Sequence, residues 1–259
     1  MMGRSAAATK NKKPSFVEDK EASRILLLAL VAILLVAGCL WSAVRQEKMR
    51  HDLLRRYADD IPRDPALAAF ARQIAVPAYR DNCAACHGAA MQGDPQRGVP
   101  GLQRGTWLYD FARVSDLERT ILYGIRSGHG KSRNVTDMPA LGVTGKLSPA
   151  EIADVATYVM SLTRKGENAA AIARGGAIYQ GKGECFDCHG ADASGNIDWG
   201  APALTKSGLP HGFSLETIRA SIHDGRHGRC PAFINRLDFT TIRALAVMVH
   251  DASQGRTAS

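Results

Sequence analysis

Aromatic side chains are scarce in this 259-residue chain, at 6% of its length. The length suits two domains of about 100 residues and an extra segment. With so few large rings, such domains would have thin cores unless a bound apolar body filled them. Strand-length runs of alternating apolar and polar residues are also missing, which excludes sandwich and βαβ architectures. No basic stretch is interleaved with stacking aromatics, so the net charge of +8 does not point to nucleic acid. Residues 1–59 hold 11 Lys and Arg against 6 Asp and Glu. Most of the excess therefore flanks the apolar segment described next, where it suits lipid head groups. Cysteine is sparse as well: of six, four fall in two identical C-x-x-C-H patterns, leaving Cys39 and Cys230. That arithmetic excludes a disulfide framework.

Residues 1–24 are polar and basic, without periodicity, and read as a cytoplasmic tail. Residues 25–44, ILLLALVAILLVAGCLWSAV, carry no charge. At about 1.5 Å per residue they span a hydrocarbon core of about 30 Å. Arg24 and Arg45 bracket them and Trp41 sits where an interfacial aromatic would. The sequence thus predicts a single transmembrane helix over 25–44, followed by a linker over 45–64. Two other readings stay open: VAGC at 36–39 resembles a lipoprotein cleavage site with Cys39 lipidated, and the segment could be a cleaved signal. All three put the remainder of the chain on one side of the membrane. Both flanks are basic, so loop charge does not orient the helix.

From residue 65 the chain repeats itself. Ala-Arg at 71–72 recurs at 173–174, each Arg eleven residues before the first motif cysteine. Tyr79 and Tyr179 precede the motifs, and thirteen residues after each motif histidine comes Pro-x-Leu, at 100–102 and 202–204. MPAL at 138–141 is answered by CPAF at 230–233. Each copy closes with apolar residues at helical spacing: Ile152, Val155, Ala156 and Val159, then Ile242, Leu245, Ala246 and Val249. Ser148-Pro149-Ala150-Glu151 supplies a capping box for the first of these. The repeats predict an all-α protein with two tandem homologous domains, at 65–164 and 169–254, each with long Gly-rich loops that need a bound body to wrap.

The chemistry lies in CAACH at 83–87 and CFDCH at 185–189. Two thiols three apart on a helical turn can each form a thioether with a haem vinyl group, and the adjacent histidine then faces the iron. The covalent positions are Cys83, Cys86, Cys185 and Cys188; the proximal ligands are His87 and His189. A zinc ribbon would need its C-x-x-C pairs about 15–20 residues apart, whereas these stand 102 apart. The cofactors predicted are therefore two covalently attached c-type haems, whose propionates offset the charge of the loaded domains, and the two repeats are expected to be tandem class I cytochrome c domains. Because this motif is matured outside the bacterial cytoplasm, the haem domains should be periplasmic, on a single-pass inner-membrane anchor. Pro100 and Pro202 are expected to fix the histidine rings through their carbonyls. Met138, in the MPAL context, is expected as the thioether ligand opposite His87. Its counterpart in the second copy is Cys230. For the second iron three arrangements stay open: Cys230 as thiolate, a histidine (His223, His227 or His211), or a five-coordinate site. Arg126 and His129, with Trp107, are further positions suited to propionates or to a partner surface.

In order along the chain, DNCAACHG at 81–88, TWLY at 106–109, YGIRSGHG at 123–130, MPALG at 138–142, CFDCHG at 185–190, GN-x-x-x-GAPAL at 195–204 and LAVMVH at 245–250 resemble the dihaem subunit III of cbb3-type cytochrome c oxidases. The likeness covers about residues 65–252 and the layout of the anchor. It implies a subunit that carries electrons and is not itself an enzyme. Electrons from a soluble cytochrome c or a membrane donor would pass to a monohaem subunit and the catalytic subunit, with no nucleic acid involved. It implies iron ligation by His87, Met138 and His189. Two departures, Cys230 in place of a second methionine and an anchor without a Trp-rich run, fit a divergent paralogue. A dihaem carrier for another reductase or dehydrogenase, or a haem sensor or peroxidase with an open second iron, are the other classes compatible with these residues.

Overall fold

Charged helix-formers carry the first helix well past its apolar stretch. The computed structural model describes residues 16–103, 113–133, 136–164, 168–196, 198–206, 209 and 211–256. The chain divides into two units, residues 1–51 and 52–259. Helix α1 runs Phe16–Arg55. Its apolar side chains from Ile25 to Val44 are exposed, and it is the one helix among the described residues long and apolar enough to cross a membrane. The linker expected from residue 45 is helical as far as Arg55, because Gln46, Glu47, Lys48, Met49, Arg50, Leu53 and Leu54 favour helix. A short 3₁₀ turn (Ala58–Arg63) follows. Of the other expectations, Trp107 and the TWLY stretch lie outside the described residues.

The remaining elements are α2 (Pro65–Asn82), α3 (Ala84–His87), α4 (Val114–Tyr123), α5 (Pro149–Ser161), α6 (Ala169–Gln180), α7 (Cys185–His189), α8 (Leu215–Asp224) and α9 (Phe239–Ser253). Among the described residues there is no strand, only isolated backbone bridges. Side-chain caps set the starts. Asp64 accepts from the Ala66 and Leu67 amides, both at 3.1 Å, with Pro65 as first helical residue. Ser148 and Glu151 form the capping box on α5. Asn168 caps α6, Ser214 with Thr217 caps α8, and Asp238 caps α9.

The helix pairing differs from the expectation that each repeat folds on itself. Helix α5 packs on α6 and α8; α9 packs on α2 and α4. The closing helix of each repeat therefore lies against the opening helix of the other. The cause is topological: α5 and α6 are joined by the short connection 162–168, and helices joined this closely pack as an antiparallel hairpin. That pairing leaves α2 open to α9. The repeated Ala-Arg pair works at the same seams. Arg174 grips Asp154 of α5 in a bidentate pair at 2.7 and 2.8 Å, and Arg72 meets Asp251 of α9 at 3.5 Å.

Apolar burial completes the two cores. Ile152, Val155, Val159, Tyr179, Ile218 and Ile222 are buried together in one. In the other, α2 buries Leu67, Ala71 and Ala75, and α9 buries Ile242, Leu245 and Val249. Arg243 of α9 pairs with Glu118 of α4 at 3.0 Å and donates to the carbonyls of Leu53, Leu54 and Arg56 at 2.9–3.2 Å. One guanidinium thus satisfies three acceptors at the C-terminal end of α1.

Leu245→Ala in α9 is expected to lower unfolding stability by about 2–5 kcal/mol, measured by denaturant titration.

Candidate cofactor sites

Both C-x-x-C-H motifs fold into one-turn helices that hand their histidines to the same backbone pattern. His87 N–H donates to Cys83 O at 2.9 Å and the turn ends at Gly88, φ +79°. In the second copy α7 ends at Gly190, φ +80°. Tyr79 Oη donates to Gly88 O and Tyr179 Oη to Gly190 O, each at 2.7 Å, tying the motif turn to its opening helix. Gly93 N donates to His87 O and Gly195 N to His189 O, both at 2.8 Å. Leu102 N reaches Met91 O, and Leu204 N reaches Ala193 O, again both at 2.8 Å. The duplication detected in sequence is therefore a duplication of hydrogen bonds.

The two prolines stand where the ring nitrogens need an acceptor. His87 Nδ1 lies 3.0 Å from Pro100 O, and His189 Nδ1 lies 2.9 Å from Pro202 O. A carbonyl can only accept, so each Nδ1 carries the proton and each Nε2 presents a free lone pair. Burial holds both imidazoles below their ordinary pKa, against a smaller opposing effect of the proline bond. A neutral ring with an oriented Nε2 is what a metal-ligating histidine requires.

A cavity of about 520 Å³ opens beside the second motif, bounded by Cys185, Cys188, His189 and Pro202 on one wall. Met138, Leu141, Val155 and Val159 of the first repeat line it too. Its size and mostly apolar lining suit a porphyrin-sized ligand. Met138 thus lies in the crevice of His189, a correction to its expected place opposite His87. The reason is the crossing of α5. The segment leading into that helix pairs with the end of α8, through Met138 N to Arg226 O and Arg226 N to Met138 O, both 3.1 Å, and Leu141 N to Ile222 O at 3.0 Å.

The reciprocal crossing carries Cys230 to the first site. Ile125 N donates to Cys230 O at 2.9 Å and Cys230 N to Ile125 O at 3.0 Å, while Phe233 N reaches Ile121 O and Leu122 O at 3.1 Å. Burial pushes the Cys230 thiol up to about 11, and Cys83 and Cys86 are close enough to add to the effect. Cys230 is therefore placed with the first motif, not the second as the sequence suggested.

Two glycines make both crossings sterically possible. Gly124 (φ +73°) and Gly225 (φ +70°) follow α4 and α8. A Cβ on Gly124 would collide with the Cys230 carbonyl oxygen, and one on Gly225 with that of Met138. The sequence reading missed this pair, since Gly124 stands 14 residues before Met138 but Gly225 only 5 before Cys230.

The other expected positions separate. His211 lines the His189 cavity and its ring is seated where Gly98 has no side chain. His223 pairs with Asp224 at 2.7 Å and His227 with Asp137 at 3.3 Å, both about half exposed; neither lines the cavity. Arg126 lines the cavity beside the second motif. It is held by Asp137 at 2.8 Å and by the carbonyls of Gly228 and Thr136 at 2.6 and 3.1 Å. His129 stacks on Tyr123 with centroids 4.9 Å apart.

Known proteins resemble both halves of the chain. Residues 77–163 match the cytochrome c family, and residues 170–247 match the family "Cytochrome C oxidase, cbb3-type, subunit III". The chain is 42% identical over 218 residues to a cbb3-type cytochrome c oxidase subunit FixP of Bradyrhizobium sp. (strain ORS 278), covering 81% of this chain and 72% of that one. It is 36% identical over 217 residues to the subunit CcoP of Azospirillum brasilense, covering 82% and 72% respectively.

Gly225→Ala is expected to cost roughly 1–3 kcal/mol through its left-handed backbone alone, with the collision against Met138 O adding to it. A fall in the Tm of the full chain measures the loss, and a spectral change confined to the His189 site should accompany it.

Proposed function

The chain belongs to the family of subunit III of cbb3-type cytochrome c oxidases, and from that premise we propose that its two C-x-x-C-H sites each hold a covalent c-type haem and relay electrons to the oxidase. It is an electron-transfer subunit, anchored in the inner membrane by α1, and itself performs no bond chemistry. The observation that carries the reading is the pair of half-buried histidines whose Nδ1 protons are committed to Pro100 and Pro202. Both rings are thereby fixed as ligands through Nε2.

In this reading Cys83 and Cys86, then Cys185 and Cys188, form the four thioethers. When bound, the haems supply a one-electron iron couple. The chain orients that couple and tunes its potential. Met138 sits in the His189 crevice with its neutral thioether, a ligand type that favours ferrous iron and raises the potential. Leu141, Val155, Val159 and Ile222 give that crevice an apolar lining. The partners are the catalytic subunit and, more finely, a monohaem subunit, with a soluble cytochrome c or membrane donor upstream and lipid around α1. Maturation of the motif outside the cytoplasm puts the residues after α1 in the periplasm.

Membranes of a strain lacking this chain should fail to oxidise reduced cytochrome c while still containing the catalytic subunit; undiminished oxidation would overturn the reading. Met138→Leu in the full chain should change the visible and EPR spectrum of the haem on Cys185 and Cys188 and leave that on Cys83 and Cys86 as it was. A change confined to the Cys83–Cys86 haem would restore the unexchanged pairing.

A further inference from the structure

We infer that Cys230, lent by the second repeat, is the axial ligand opposite His87, so that the first haem is closed by a thiolate and the second by a thioether. The inference rests on the two-haem reading above and deepens it.

Three observations carry it together. The first is the pseudo-symmetry of the crossings. Met138 is bridged to Arg226 just after α8, and Cys230 is bridged in the same antiparallel way to Ile125 just after α4. Each is followed by Pro-Ala and then by an amide bonded back to the end of that helix: Leu141 N to Ile222 O, and Phe233 N to Ile121 and Leu122 O. The same hydrogen bonds therefore hold both residues at equivalent points. The second observation is that one of these points is visible as a crevice position, since Met138 lines the cavity containing Cys185, Cys188 and His189. Applied to the other copy, the equivalence sets Cys230 against Cys83, Cys86 and His87. The third supports these two: after burial, the Cys83 and Cys86 thiols add to the upward shift of the Cys230 thiol, as neighbours would. Among the described residues its Sγ makes a long, weak contact, to Pro231 O at 3.8 Å.

The chemistry separates the two sites. On ligation the Sγ–H bond of Cys230 breaks, its proton leaves to solvent, and an iron–sulfur bond forms with no change in iron oxidation state. A thiolate brings a negative charge and electron density to the iron, which favours the ferric state. The Met138 thioether brings neither. The CAACH site is then the low-potential site and the CFDCH site the high-potential one. Electrons run downhill from the first repeat to the second, which makes the first repeat the entry point and the second the exit towards the oxidase.

The test uses the haem-loaded full chain in detergent, with haem counted by pyridine haemochrome and staining on a denaturing gel. Two haems per chain are expected, one giving the low-spin ferric EPR and near-infrared signature of thiolate ligation. In a reductive titration that haem is the last to be reduced. Cys230→Met should abolish the thiolate signature, keep two haems, and bring the late reduction wave up towards the early one. Cys230→Ala should also abolish it. The single-haem variant Cys83→Ala/Cys86→Ala should lose the signature, whereas Cys185→Ala/Cys188→Ala should retain it. Two haems with no thiolate signature in the unsubstituted chain would overturn the inference while leaving the proposed function standing, and this measurement needs no variant to fold. A signature that survives Cys230→Ala would overturn it equally. A chain that carries no haem at all would overturn the proposed function, and this inference with it.

Discussion

Two backbone ladders of two hydrogen bonds each determine how this molecule is assembled. Ile125 exchanges both amide bonds with Cys230, and Met138 does so with Arg226. Each bond contributes on the order of 1 kcal/mol net, so the ladders select an arrangement more than they stabilise it. What they select is which closing helix covers which histidine. Once the Met138 segment is paired to the end of α8, α5 can only lie over α6 and α8, and its apolar stripe of Ile152, Val155, Ala156 and Val159 is buried there. Burial of such a stripe at about 1.5–3 kcal/mol per large aliphatic side chain is the larger energy. The glycines at 124 and 225 are the steric condition for both. The two repeats are thus interleaved within residues 52–256.

The motif turns themselves ask little of that exchange. The Tyr–Gly, His–Pro and Leu–backbone bonds are local, each within about twenty residues of its motif. They hold the thiol pair and the imidazole in register on one wall. The opposite wall is long-range. Division of labour between a local wall and a borrowed wall accounts for the sequence pattern. The motif region keeps the same spacing and the same hydrogen bonds in both copies, whereas the stretches from α4 to MPAL and from α8 to CPAF differ in length, because they need only meet the other copy's backbone. The scarcity of aromatic residues fits the same scheme, since the cavity beside His189 leaves a large volume to a planar apolar guest.

Much of this was legible in the residues. The periodicity of 152–159 and 242–249 marked two amphipathic helices. Ser148 and Glu151 marked a capping box that is present in α5. The thirteen-residue spacing from His87 to Pro100 and from His189 to Pro202 corresponds to two ring-to-carbonyl bonds of nearly equal length. The exchange was not legible, for a physical reason. A hydrophobic stripe says which face of a helix is buried but not against what, and two homologous repeats offer α5 two nearly equivalent surfaces. The deciding fact is the short connection 162–168, a statement about chain length and not about side chains. Met138 and Cys230 were recognised as a matched pair, yet each was assigned to its own repeat because the order along the chain suggested it. The extent of α1 was misread for a different reason: loss of apolar character at residue 45 ends a membrane span, but Glu, Lys, Arg and Leu propagate a helix in water equally well.

Interleaving also joins the two sites physically. Gly98 lies two residues before Pro100, whose carbonyl holds His87, and Gly98 also bounds the cavity of His189. The His211 ring occupies the space that Gly98 leaves, and Arg126 of the first repeat lies on the same cavity wall, its guanidinium bound to Asp137 and to Gly228 of the second. The two sites are therefore linked by packed side chains and backbone of both repeats. Two self-contained domains joined by a linker would need a separate interface to keep such proximity, and an interface of modest size leaves domains free to move. Here the wall of one site is the support of the other, so their separation is fixed by the same helices that create them.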